Sequence, residues 1–270
     1  MNMNKTIYTL LLTIRRGIYL SLGSFDRVLG RKNKVFILAY HSVARDNWRF
    51  SVDPSLLKKQ IGYLWENYNF ITLAELEAYV QGKKKITRPS VVLTFDDGYK
   101  DILVMKDFLV KHNIRPTLFL LTDTKHANWQ ELGSKRPFLN KKEIQSLIKA
   151  GFKIGSHSAT HANLAEVSGF GREVIASKQT LEKELGIAIP YFSYPRGKYT
   201  QEVVQAVKKA KYGLAVSMED GLISSKTNPL LVPRVGIDRT HTFEEFKVTF
   251  SPSVVRFRQL VKKTFIGKYL

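Results

Sequence analysis

A chain of 270 residues, 44% of them hydrophobic and with no Pro/Gly-rich linker, is long enough to bury one large core, so a single main domain is expected. The absence of cysteine excludes disulfides and thiolate ligands, which leaves His, Asp and Glu to hold any metal. The formal charge of +20 is concentrated at the ends: residues 1–34 carry seven Lys/Arg against Asp26 alone, and residues 251–270 carry five against no acid.

Such a balance admits a nucleic-acid binder, but both ends are also apolar, with Ile7, Leu10, Leu11, Ile14 and Ile18 at one and Val254, Phe257, Val261, Phe265 and Ile266 at the other. Basic and apolar residues interleaved at near-helical spacing suit an anionic membrane surface better, so no nucleic-acid partner is expected. Arg15 and Arg16 cut the first apolar run far short of the ~20 residues that span a bilayer. A secretory signal fits poorly, because the apolar stretch is short and no small-x-small cleavage site precedes the arginines. The expectation is a peripheral membrane association, on the cytoplasmic face. It weighs evenly with the plainer alternative that both ends are helices packed on the domain with solvated basic faces.

Along the chain, residues 35–40 read as a buried strand that ends at His41. Asp53 caps a helix with Leu56, Leu57, Ile61 and Leu64 on its apolar face, and residues 72–80 form a second helix opened by a capping box. Residues 91–95 then form a strand that delivers Asp96 and Asp97 to its end, followed by Gly98 and a helix over residues 101–112. Residues 116–121 are the next strand. The polar stretch 122–139 is a candidate substrate rim, where Trp129 either stacks on a sugar or, the commoner case, pins the loop to the body.

Asn140 caps a helix that ends at Gly151, and a short strand leads to His157 and His161, whose i,i+4 spacing would put both on one side of a helical turn. A helix over 172–185, the stretch 189–197, a helix over 200–211, strands at 214–216 and 230–238, and a helix over 243–250 complete the alternation. Strand and helix alternating, with polar residues at strand ends, predict a parallel α/β fold of the (β/α) barrel type. The expected division is a basic amphipathic segment at 1–33, the main domain at 34–250 and a basic amphipathic helix at 251–270.

Two adjacent carboxylates at the mouth of an apolar strand repel one another, and a cation beside them removes that cost. Two imidazoles and one carboxylate make an open metal site, and zinc held by three protein ligands lowers the pKa of water towards ~7. The second carboxylate is then free to act as a base. Without the histidines, the Asp pair would read equally well as a helix N-cap with an acidic first turn.

Thr94-Phe95-Asp96-Asp97-Gly98 followed by Ser156-His157-Ser158-Ala159-Thr160-His161 resembles the first two signature motifs of the NodB-homology polysaccharide deacetylases, carbohydrate esterase family four. The resemblance spans residues 34–240 and implies a distorted (β/α) barrel with about seven parallel strands and a divalent metal, usually zinc. It implies that Asp97, His157 and His161 hold the metal and that Asp96 is the base that activates the attacking water. The third motif departs from the family: Tyr194-Pro195-Arg196-Gly197 follows Ser193 where an arginine is expected, and Arg196 stands where an aromatic is expected. The oxyanion donor would then be the Arg196 backbone N–H, and Arg234 is the candidate to orient Asp96, against the alternative of a surface arginine.

The general acid is His41 or His241. Ala39-Tyr40-His41-Ser42-Val43 resembles the strand-end Tyr-His motif of the subgroup that includes poly-N-acetylglucosamine deacetylases. His41 is preferred because it needs no loop rearrangement to reach a strand-end site. The chain is therefore expected to be a metal-dependent hydrolase that removes acetyl groups from N-acetylated sugars of a cell-envelope or exported polysaccharide. The rivals are a deformylase or O-deacetylase acting on a lipid-linked sugar and, from another class, a non-catalytic basic protein on an anionic membrane or nucleic acid.

Overall fold

The computed structural model of the protein describes residues 5–262 apart from 33 and 168, together with residue 264. Helix α1 (Lys5–Val28) precedes strand β1 (Val35–Tyr40), and α2 (Pro54–Asn67), β2 (Asn69–Phe70) and α3 (Leu73–Val80) lead to β3 (Ser90–Phe95). The chain continues through α4 (Lys106–Lys111), β4 (Thr117–Leu120), α5 (Trp129–Leu132), α6 (Lys141–Lys149), β5 (Lys153–Ser156) and α7 (Ser177–Leu185). It ends with β6 (Tyr191–Ser193), α8 (Gln201–Lys209), β7 (Leu214–Val216), β8 (Val235–Gly236), α9 (Phe243–Thr249) and α10 (Pro252–Val261). The remainder of the expected C-terminal segment, including Lys263, Phe265, Ile266 and Lys268, lies outside the described residues.

Every strand pairs in parallel, in the order β7-β6-β5-β4-β3-β1-β8, with β2 against β3 off this path. All residues of β1, β3 and β4 are buried, as in a sheet covered on both faces, which is why these stretches are unbroken apolar runs and do not alternate. The sheet curls into a barrel of the parallel type that the alternation predicts, distorted as the family resemblance implies. Its last segment touches both edges: Val232 bridges Val216 on β7, and Val235–Gly236 pairs with Leu38 and Ala39 on β1. The single strand expected over 230–238 is thus broken at Pro233, which has no N–H to give to a ladder.

Two further expectations change for local reasons. The helix after the Asp pair begins as a 3₁₀ turn, Lys100–Met105, because the Asp101 carboxylate is tied to the end of β1, accepting from Ser42 Oγ (2.5 Å) and the Val43 N–H (3.0 Å). The 122–139 stretch folds into short turns and α5, held by stacked rings: Trp129 lies on Phe138 and Phe138 on Tyr99, with centroids 5.4 Å apart in each pair. Trp129 therefore pins the loop.

Candidate active site

β3 ends in a backbone that changes hand: Asp97 (φ +70°) and Gly98 (φ +76°) are both left-handed, a conformation that costs a non-glycine residue energy and turns the two carboxylates in different directions. Asp97 Oδ1 lies 3.3 Å from His157 Nε2 and 3.5 Å from His161 Nε2. Asp96 Oδ2 lies 3.8 Å from His157 Nε2. All four side chains are buried.

The two histidines are not on a helical turn. Ser158 (φ +73°) and His161 (φ +62°) are left-handed, and the loop is closed by the His161 N–H donating to Ser158 Oγ at 3.0 Å. Glu173 holds the loop from below, its carboxylate accepting from the Ala159 N–H, the Thr160 N–H and Thr160 Oγ1, each at 3.0 Å. The i,i+4 spacing does place both rings on one side, but through a buried glutamate 12 residues beyond His161 and not through helix geometry.

Protonation is set by the surroundings. Burial opposes ionisation of Asp96, but the Arg234 guanidinium, aided by His157, outweighs it and holds the carboxyl far below the usual carboxylate range. Burial likewise opposes the charge on Asp97, and the imidazoles gathered around it, His157 first among them, outweigh burial and hold its pKa low. His161 is pushed down to about 4, chiefly by burial, and is a neutral imidazole at pH 7. His157 Nδ1 donates to the Ser193 carbonyl at 2.8 Å, which fixes the ring and leaves Nε2 facing Asp97.

These residues fit a divalent cation. Asp97 Oδ1 and the two imidazole nitrogens converge within 4.8 Å, and Asp97 Oδ1 is buried with no hydrogen-bond partner among the described residues, a cost that a cation there would remove.

Arg234 meets Asp96 as a two-pronged fork, Nη1 to Oδ1 at 2.8 Å and Nη2 to Oδ2 at 2.6 Å. Its other three N–H groups go to Thr94 Oγ1, Ser193 Oγ and the Ser217 carbonyl, so all five donors are used. Ser193 is small enough to leave room for this guanidinium and also donates to Asp96 Oδ2 at 3.3 Å. An arginine from the closing segment thus stands against Asp96 where the resemblance implies one from the third motif.

The rest of that motif divides. Tyr194 is turned into the core with its hydroxyl donating to the Leu230 carbonyl at 3.0 Å. The N–H groups of Tyr194 and Gly197 are engaged by Val216 O and Tyr194 O, and Pro195 has none. Arg196 (φ +54°) lines the cavity, its guanidinium bonded to Glu131 at 2.8 Å.

A cavity of about 650 Å³ opens over Asp96, Asp97 and His161, and both candidate acids line it. His41 follows β1 and rests on the Phe50 ring at 5.0 Å, with its Nδ1 buried and unpartnered. His241 reaches the cavity as the chain stands, so the expected need for loop rearrangement does not apply. Its Nδ1 faces Asp238 Oδ1 at 3.1 Å, Arg49 holds the other Asp238 oxygen at 2.8 Å, and its Nε2 is buried and unpartnered. Trp48 and Phe50 form an aromatic wall that the sequence reading missed; the aromatics of the 46–50 stretch, just after a strand-end histidine, were the available signal.

The sequence model of the polysaccharide deacetylase family matches residues 83–215, which contain both Asp and both His of the site. The chain belongs to this family of carbohydrate-acting hydrolases. It is 25% identical over 234 residues to the poly-β-1,6-N-acetyl-D-glucosamine N-deacetylase of Staphylococcus aureus (strain MRSA252), covering 76% of this chain and 79% of that one. Its fold is similar to that of the Streptococcus pyogenes deacetylase PplD in complex with acetate, with a TM-score of 0.70, 25% identity and coverage of 81% and 98% of the two chains. A Bacillus cereus polysaccharide deacetylase is similar at a TM-score of 0.68 and 25% identity, covering 80% of this chain and 69% of that one.

Proposed function

We propose that this chain is a metal-dependent N-deacetylase that removes acetyl groups from N-acetylated sugars of a cell-envelope or exported polysaccharide. The observation that carries the reading is the convergence of Asp97, His157 and His161 beside an Asp96 clamped by Arg234, with Asp96, Asp97 and His161 lining one cavity. Asp97, His157 and His161 would hold the ion, with Zn²⁺ the ion proposed, and when bound it supplies a Lewis acid and a water of lowered pKa. Asp96, kept ionised by Arg234, takes the proton of the attacking water. The Arg196 N–H, which has no hydrogen-bond partner among the described residues, donates to the developing oxyanion. His41 gives the proton that the leaving amine needs: it stands at the end of β1, lines the cavity with Asp96, Asp97 and His161, and its buried Nδ1 has no hydrogen-bond partner among the described residues.

The aromatic wall of Trp48 and Phe50 suits the apolar face of a sugar ring, and its relation to the N-acetylglucosamine polymer of the Staphylococcus relative suggests a substrate of that class. Acetate release from β-1,6- and β-1,4-linked N-acetylglucosamine oligomers by zinc-loaded protein tests the reading, and no release from either would sink it. In the same assay His41→Ala lowers kcat by roughly 10²-fold or more while His241→Ala retains most of it. The reverse order would transfer the acid role to His241.

A further inference from the structure

Helix α1 is amphipathic with its apolar side facing away from the protein. Ile7, Leu10, Ile14, Phe25 and Val28 are between 49% and 85% exposed, and at the helical repeat they fall within roughly 60° of one another. The side packed on the body carries Arg15, Tyr19, Gly23 and Asp26. Arg15 pairs with buried Glu245 at 3.1 Å, and Asp26 accepts from the N–H and hydroxyl of Ser253, each at 2.7 Å. Gly23 lets α1 approach α9 so closely that a Cβ there would meet Val248 at 2.4 Å. A helix that only covered a core would turn its apolar stripe inward. This one docks through Arg15, Asp26, the close approach at Gly23 and a small apolar cluster of Tyr19, Leu20 and Leu22 on Val248, Val254 and Phe257, and leaves a second apolar stripe outside.

The surrounding charge selects the occupant. Arg16, Arg27, Arg31 and Lys32 are exposed on or just after α1, and Asp26, the one acid of residues 1–34, is spent on Ser253. A second copy of a +20 chain would be repelled, and nucleic acid has no use for the stripe. An anionic bilayer accommodates both features. No described helix is long and apolar enough to cross a membrane, so α1 would lie on the surface. The inner side of the same helix pair closes the catalytic cavity, which Tyr19 of α1 and Phe257 and Val261 of α10 line together with Asp96, Asp97 and His161.

We infer that α1 docks in the headgroup region of an anionic membrane and, with α10, holds the mouth of the cavity against it, so that the glycans acted on are those held at the membrane. The docking stands by itself; the substrate half rests on the deacetylase reading. The full chain floats with phosphatidylcholine vesicles that contain phosphatidylglycerol, and about tenfold less with phosphatidylcholine alone. The combined Leu10→Glu and Ile14→Glu change abolishes flotation and leaves both the melting temperature and acetate release from a soluble N-acetylglucosamine oligomer unchanged. On an N-acetylglucosamine glycolipid in the anionic vesicles, the same variant loses about tenfold or more in rate. If that variant folds poorly, Val28→Glu, at the most exposed position of the stripe, serves instead. Equal flotation of variant and parent, or no flotation of the parent, overturns the docking. So does self-association in sedimentation that the substitutions disperse while vesicles are ignored. Flotation lost without any loss of rate on the glycolipid overturns the substrate half, and failure of the soluble assay in the parent bears on the deacetylase reading alone.

Discussion

Asp96→Asn lowers kcat/KM for acetate release by roughly 10²–10⁴-fold, the range over which a positioned general base acts. The amide keeps the shape of the carboxylate and one acceptor for the Arg234 fork, but cannot take a proton. Metal content is unaffected, because Asp97, His157 and His161 are the converging ligands and Asp96 lies outside their cluster. The experiment is a steady-state rate on metal-loaded protein below its unfolding temperature, paired with metal analysis. A rate within a few-fold of the parent would remove Asp96 from the role of base.

Arg234→Met is expected to be the most destabilising single change near the site. It strands a carboxylate that is 2% exposed and leaves Ser193, Thr94 and the Ser217 carbonyl without their donor. Breaking a buried pair in this way costs about 3–5 kcal/mol, a fall in Tm of roughly 10 °C for a chain of this size. The pH dependence follows from the direction of the shift. With Arg234 present the folded Asp96 lies far below its unfolded value, so the pair's stabilisation is full above the ordinary carboxylate range and is lost only as pH falls through the folded value. In Arg234→Met burial is opposed only by the neighbouring His157 and His41, so the Asp96 pKa rises. The deficit against the parent is therefore greatest near neutrality and shrinks on acidification, and the acid limb of the rate profile moves to higher pH. Arg234→Lys restores little, since an ammonium cannot fill five fixed donor directions. In the double variant with Asp96→Asn the two costs are less than additive. Full additivity would mean that the two side chains act independently.

The sequence disclosed the parts of this protein that depend on local pattern. Unbroken apolar runs announced β1, β3 and β4, capping residues Asp53, Thr72 and Asn140 marked three helices, and strand ends carried Asp96, Asp97, His41 and His157. Arg234 was found by elimination, because the third motif lacks its arginine and the apolar neighbours of Arg234 argued against a surface position. What stayed hidden was set by partners distant in the chain. Nothing periodic links Glu173 to the backbone of Ala159 and Thr160, or Asp101 to the end of β1, and so the histidine loop was read as a helical turn and the 3₁₀ turn after Tyr99 as an ordinary helix. His241 was expected to need a loop rearrangement because sequence alone does not reveal that the closing segment, broken at Pro233, brings it onto the cavity beside β1. The basic apolar ends were recognised as amphipathic, but only the packing of Arg15, Gly23 and Asp26 tells which side faces the protein.

Everything proposed for this site depends on Asp97, His157 and His161 holding one divalent ion beside Asp96. Metal analysis of protein dialysed from zinc-containing buffer, with the parent and His161→Ala carried through together, tests it most directly. One zinc per chain is expected in the parent and none in the variant; a parent without stoichiometric metal, or a variant that keeps it, would rule out this ligand set.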